Sequence, residues 1–405
     1  MSQPNLVCVV VDRLHAGMLG AYGNSWIKTR HFDRLASSSL LFDQAVVDHP
    51  KLDRIYRSYW FGQPAAAERD AVGASLPRLL AARGWHTALI TDEPQLAAFS
   101  GIDDFAERVT IEPRGADRLA SDLEETALVR LFAATAKWLA APREPFCLWV
   151  HAQAMGGPWD APYEMRVQYA DEEDPPPPEF FAPPELRLPA DYDPDELLGI
   201  THAYCGQVAL MDHCLGQLAE RLDAPHLAER TQLTLLGARG FPLGEHLRVG
   251  PCDNALYNEL VQTPWILRFP EELGRLTRTQ ALVRPADLGG TLLDWLTIDR
   301  ADFAGGRSTS LLGLIRGEQN AVRDRIVLRS THDRALRTRA WLLREPDEGP
   351  AELYAKPGDR WEVNEVASLC PEVVAGLQTA LAESLAADGA DRTAPLADPL
   401  VTEVD

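Results

Sequence analysis

Six consecutive apolar residues, Leu6–Val11 (LVCVVV), open the chain and stop at an aspartate, Asp12. A continuous run of this length, with no polar alternation, fits a strand buried on both faces of a parallel sheet. Segments downstream keep the alternation such a sheet needs. His31–Ser38 reads as a short helix and Leu40–Val47 as a strand. Leu76–Arg83 reads as a helix closed by Gly84, a residue suited to a C-cap, and His86–Thr91 as a strand. Asp122–Ala140 carries Leu123, Ala127, Leu128, Leu131, Phe132, Trp138 and Leu139 at helical spacing, and Phe146–His151 is a further buried strand.

The segment from Gly156 to Pro194 breaks the pattern. DEEDPPPPEF and FAPPELRLPADYDPDE hold too much proline for a helix or a central strand, which predicts a surface excursion. Leu197–Leu222 resumes as a helix, Thr231–Leu236 and Pro264–Phe269 as strands, and Pro285–Leu296 as a helix. A second unit is predicted over 325–387. It holds short antiparallel strands at Ile326–Arg329, Arg334–Arg339, Ala340–Arg344 and Glu352–Ala355, then an amphipathic helix, Pro371–Ala386. The domains are therefore 1–324 and 325–387, with 388–405 as a loose tail. The fold class is α/β: a mixed, mainly parallel sheet sandwiched by helices, with a small C-terminal α+β domain.

Charge and cysteine usage exclude several functions. A net charge of -21 argues against a nucleic-acid partner and against anionic membranes, and its spread along the chain suits solubility. The six cysteines, Cys8, Cys147, Cys205, Cys214, Cys252 and Cys370, are scattered without CxxC spacing, so they read as buried free thiols. The N-terminus lacks a basic region and a cleavage site, and no apolar run reaches the ~20 residues that span a bilayer, so a cytoplasmic location is expected. GxGxxG, GxxxxGK[ST], GxSxG and HExxH are absent.

The opening VVVDRLHAGMLGAYGNSWIKTRHFDRLASSSLLFDQAVVDHPKLDRIYRSYWFG resembles the start of the sulfatase family of the alkaline phosphatase superfamily. That family begins with a strand ending in two aspartates, then "LGxYG", then "TPxLDRLAxxGxxFxxAxxxxPxCxPxRxSLxTG". Asp12, Leu19, Gly20, Tyr22, Gly23, Thr29, Phe32–Ala36, Phe42, Ala45, Pro50, Ser58 and Gly62 match without gaps. Later segments resemble the family in order: WVHAQAMGGPWDAPY, GEHLRVGPCDNALYNELVQTPWILRFP, RPADLGGTLLDWL and ELYAKPGDRWEVNEVA.

The resemblance implies a calcium ion held by carboxylates, a formylglycine nucleophile made from the residue opening C-x-P-x-R, and cationic partners for the sulfate. Little of this is present. The paired aspartates fall on Asp12 and Arg13, and the late "DHG" or "DNG" falls on Ala238, Arg239 and Gly240. Asp12 is thus the only retained ligand position, the calcium site is predicted lost, and no cofactor is expected. The nucleophile position falls on Leu52, with Arg54 and Tyr56 in place of the proline and arginine. A one-residue slip would instead put Asp53 and Arg57 on the nucleophile and arginine positions, and a carboxylate can serve as a nucleophile. The "PHxPY" histidine falls on Gly156, and the lysine after the GEH turn falls on Pro251 or Cys252.

His151 and His246 remain at family-like positions, each as readily a packing residue as a pocket residue. His15, His31, His49 and His213 read as surface or packing residues. The remodelled pocket is expected to comprise Asp12, Arg13, Leu52, Asp53, Tyr56, Arg57, His151, Arg239 and His246. A guanidinium, foremost that of Arg239, is expected in the metal's place against Asp12; the alternative has both arginines in solvent and Tyr56 and Phe241 closing the pocket. Two arginines against one aspartate would leave one positive charge for an anionic small molecule. Three readings follow: a catalytically inactive homologue that binds such a ligand or a protein partner, an active sulfate or phosphate ester hydrolase with an altered site, and a structural or assembly protein.

Overall fold

In the computed structural model, which describes residues 3–69, 73–112, 118–304, 308–387 and 394–402, the N-terminal apolar run is strand β1 (Asn5–Val11), buried throughout. It is followed by α1 (Arg30–Ser37), β2 (Leu40–Ala45), α2 (Leu52–Phe61), α3 (Leu76–Ala82), β3 (His86–Thr91), β4 (Glu107–Thr110), α4 (Ala127–Trp138) and β5 (Phe146–Ala152). The middle of the chain supplies α5 (Tyr163–Val167), β6 (Leu186–Arg187), α6 (Pro194–Leu222), α7 (Pro225–Ala228), β7 (Thr231–Gly237) and β8 (Arg248–Val249). Then come α8 (Asn258–Val261), β9 (Trp265–Arg268), β10 (Thr277–Val283), α9 (Asp287–Trp295), α10 (Leu312–Ile315), β11 (Arg325–Arg329), β12 (Asp333–Thr338), β13 (Trp341–Pro346), β14 (Glu352–Ala355) and α11 (Pro371–Ala386).

The chain divides into two units. The first comprises 1–41, 77–252 and 263–278. Its strands lie in the order β9-β7-β1-β5-β3-β4. Neighbours from β7 to β4 are parallel, and β9 runs antiparallel to β7, so the sheet is mixed and mainly parallel. Every residue of β1, β5 and β7 is buried, which is why these strands read as unbroken apolar runs. Helix α6 packs against α1, α4 and α5. It begins at Pro194, earlier than the proline content suggests, because Asp193 caps it and proline is tolerated in the first turn.

The segment predicted as one helix over Asp122–Ala140 is split. Thr126 accepts from Val129 N at 3.3 Å and donates to Leu123 O at 2.7 Å, so α4 starts at Ala127 behind a separate short turn. The excursion is fixed by Arg166. This arginine is fully buried and donates to the carbonyls of Trp159 (2.5 Å), Phe180 (2.7 Å) and Pro178. Gly206 on α6 makes room for it, since a Cβ there would lie 2.9 Å from Arg166 Cγ.

The second unit comprises 42–76, 253–262 and 279–405. Strands β11–β14 form an antiparallel meander, and α11 packs on it through Val373, Leu377, Ala380 and Leu381. The unit extends beyond the predicted 325–387, because Val46, Leu256, Leu260 and Leu282 share one core with Ile326, Leu328, Leu342 and Tyr354. Long-range packing of this kind leaves no mark on local sequence. Of the tail predicted as loose, 394–402 is described, and it is anchored: Leu396 N donates to Asp324 Oδ2 at 2.7 Å and Trp341 Nε1 to Pro399 O at 2.9 Å. Among the described residues no helix is long and apolar enough to cross a membrane.

Candidate functional site

The parallel strands of the first unit end at one edge, and their loops are tied together there. Asp12 N donates to Ala152 O and Ala238 N to Val11 O, both at 3.0 Å, so the residues after β1, β5 and β7 form one surface. Open α/β sheets carry their ligand crevice at this edge. Asp12 stands at this edge, 2% exposed.

Arg239, two residues beyond β7, grips Asp12 with a fork. Its Nε lies 3.0 Å from Oδ1 and its Nη2 2.5 Å from Oδ2. The Arg13 amide is the third donor to the carboxylate, reaching Oδ1 at 3.1 Å. Burial pushes the Asp12 carboxyl up, but the charge and hydrogen bonds of Arg239 outweigh it, with help from Arg13 and His151, and the pKa falls to about 2. Asp12 is therefore a carboxylate at neutral pH with both oxygens engaged.

Arg13 adopts a left-handed backbone with φ 59°. This conformation is costly for a residue with a Cβ and is held from outside. Tyr204 Oη donates to Arg13 O at 2.7 Å and accepts from His15 N at 2.8 Å. Gly156 lies against the pair: a Cβ there would sit 3.0 Å from Arg13 Cγ and 3.2 Å from Asp12 Oδ2. At the position where the family resemblance would put a histidine, a side chain would therefore press on the Asp12 and Arg13 side chains.

His151 ends β5, fully buried. Burial, aided by Arg239 and opposed by Asp12, lowers its pKa to about 4, so the imidazole is neutral at pH 7. His15 Nδ1 accepts from Gly17 N at 2.9 Å, and its Nε2 faces Glu245 Oε1 at 3.3 Å. Glu245, from the GEH turn, also accepts from Leu243 N at 2.5 Å. Next to it, half-buried His246 has φ 51° in the turn after Gly244. Phe241 packs on Tyr204 and Trp159, with ring centroids 5.0 and 5.5 Å away.

Two acids not picked out in the sequence join this edge. Asp92 and Glu93 directly follow β3, each 7% exposed. Asp92 accepts from Gln153 N at 2.8 Å, and burial, reinforced by Glu93 and Asp160, raises it to about 7. Glu93 accepts from Gln95 N at 2.8 Å; burial raises it, and it senses Asp12 and Arg239. Its charge lies within reach of the Arg239 guanidinium. The signal for both was present, since TDEP closes a buried strand at the ligand-binding edge.

The structure thus brings Asp12, Arg13, His151 and Arg239 together. Leu52, Asp53, Tyr56 and Arg57 lie in the second unit on α2. Leu52 and Tyr56 are buried, Tyr56 against Tyr59 and Trp60, while Asp53 is exposed in the first turn. Arg57 donates to Ala67 O at 2.5 Å and Arg69 O at 3.1 Å. Among the described residues, no group of three or more His, Cys, Asp or Glu side chains is placed to hold a metal ion.

A mainly parallel sheet with an aspartate at the end of its central strand, in a chain that also carries a small antiparallel sheet, is the architecture of alkaline phosphatase-like hydrolases. The sulfatase family model matches residues 4–298, and the chain belongs to that family. Among solved structures it is similar to the phosphonate monoester hydrolase of Agrobacterium radiobacter, at 17% identity and TM-score 0.78 over 95% of this chain and 96% of the other. A protein solved with its substrate D-glucosamine-2-N,6-O-disulfate gives 16% identity and TM-score 0.74 over 97% and 100%. A 2-O GAG sulfatase gives 18% and 0.74 over 98% and 95%. No curated protein matches the chain in sequence.

Proposed function

We propose that this chain is a sulfatase-fold protein without ester-hydrolase activity or a resident metal, whose site has been rebuilt around an arginine–carboxylate pair. The observation that carries this reading is the Arg239 fork on both oxygens of Asp12. The divalent cation of the fold needs several hard oxygen ligands. Here one carboxylate is occupied by a fixed cation, and its flanking positions are Arg13, Ala238 and Arg239. Such a donor set does not fit calcium or magnesium. Leu52 offers no nucleophile, and the exposed Asp53 offers no arrangement that favours the altered-hydrolase reading.

The ligand whose chemistry the site retains is a small oxyanion, which the guanidinium of Arg13 suits. Glu93 opposes such a ligand while ionised, so binding strengthens as Glu93 protonates.

Metal analysis of the purified protein, together with assays on aryl sulfates, phosphates and phosphonates, tests the reading. The expected result is substoichiometric metal and no turnover above background. One metal ion per chain with turnover that Asp12→Ala abolishes would overturn it.

A further inference from the structure

At the opposite edge of the first unit's sheet, where β3 and β4 begin, a cleft of about 550 Å³ opens beside the last turn of α4. Its size is that of a small-molecule site. Asp12, His151 and Asp92 stand at the C-terminal ends of their strands, so this cleft is separate from the site described above.

Three side chains on its wall form one hydrogen-bonded unit. Glu107 Oε2 accepts from Trp138 Nε1 at 2.9 Å and meets His86 Nε2 at 3.1 Å. The His86 and Trp138 rings stack with centroids 6.2 Å apart and planes at 7°. The two hydrogen bonds, that of Trp138 first, hold the Glu107 carboxyl below its usual range. Its other oxygen, Oε1, makes no hydrogen bond with a described residue and is a preset acceptor. Lys137 and Arg143 line the same cleft, exposed, and neither pairs with an acid among the described residues. Val109 and Ala134 add apolar lining to the same cleft.

We propose that this cleft binds a small organic anion carrying a hydroxyl on a ring, with the anionic group at Lys137 and Arg143, the ring on Val109 and Ala134, and the hydroxyl donating to Glu107 Oε1. An edge strand such as β4 needs charge only to stay unpaired with other chains. A hydrogen-bonded acceptor in one cleft with two exposed cations and apolar lining exceeds that need.

Isothermal titration of the full chain with 4-hydroxyphenylacetate tests the proposal, with phenylacetate and 2-(4-hydroxyphenyl)ethanol as probes lacking one group each. The expected result is saturable binding with a Kd of about 1 mM or tighter, and at least about tenfold weaker binding of either truncated probe. Lys137→Ala with Arg143→Ala, both exposed and checked by thermal melting, should abolish the advantage of the carboxylate. Glu107→Gln should reduce the advantage of the hydroxyl. No saturable heat up to about 10 mM, or unchanged affinity in the double variant, would overturn the proposal.

Discussion

Arg239 holds Asp12 through two parallel contacts, Nε to Oδ1 at 3.0 Å and Nη2 to Oδ2 at 2.5 Å, with only 14% and 3% of the two side chains exposed. Removing one partner from a buried pair leaves an uncompensated charge, whereas removing both does not. Arg239→Ala should therefore destabilise the protein by roughly 3–5 kcal/mol. Asp12→Asn with Arg239→Ala should cost clearly less than the sum of the two single changes. Chemical denaturation of the four proteins of this cycle measures the coupling; simple additivity would show that the pair contributes nothing specific.

Asp92 and Asp12 should give stability opposite dependences on pH. The folded pKa of Asp92 is raised from 3.8 to about 7, so the folded state keeps a proton that the unfolded chain releases. Stability then falls as pH rises from about 4 to 7, by an upper limit of roughly 4 kcal/mol. Asp12 is lowered from 3.8 to about 2, so its contribution is full above pH 4 and is lost as pH falls toward 2. Asp92→Asn keeps an acceptor for Gln153 N and removes the charge. Melting temperatures between pH 4 and 8 should show this variant gaining most over the wild type at the alkaline end, and equal gains at every pH would refute the assignment.

Restoring the family's carboxylates should restore a cation site. Arg13→Asp suits the left-handed φ of 59°, where aspartate is better tolerated than arginine. Combined with Ala238→Asp and Arg239→Asn, it returns hard oxygen ligands around Asp12. Differential scanning fluorimetry should show the triple variant, and not the wild type, stabilised by millimolar calcium. A wild-type shift as large as the variant's would contradict the proposed loss of the site.

Arg166 is the anchor of the proline-rich excursion, through the carbonyls of Trp159, Pro178 and Phe180. Arg166→Ala should orphan three acceptors and cost roughly 2–4 kcal/mol. Limited proteolysis should then cut faster within 171–185, and Gly206→Ala should act in the same direction by crowding Arg166. An unchanged cleavage pattern in both variants would show that the excursion is held by other contacts.

Much of the framework was legible in the chain because its causes are local. The unbroken run Leu6–Val11, the strand His86–Thr91 and the helix Pro371–Ala386 carry their periodicity in consecutive residues. Substitutions at the family's metal and nucleophile positions were legible too, since Asp12, Arg13, Leu52 and Arg239 can be read one by one. The sequence could not supply distances. Only tertiary packing decided that the fork of Arg239 meets Asp12, that Gly156 lies close against Asp12 and Arg13, and that Tyr204 holds the strained backbone of Arg13. Packing also placed Asp92 and Glu93 at this edge and attached Val46 and Leu282 to the core of the second unit. Side-chain periodicity is a property of neighbours along the chain, whereas charge pairing and burial depend on which distant segments the folded sheet brings together.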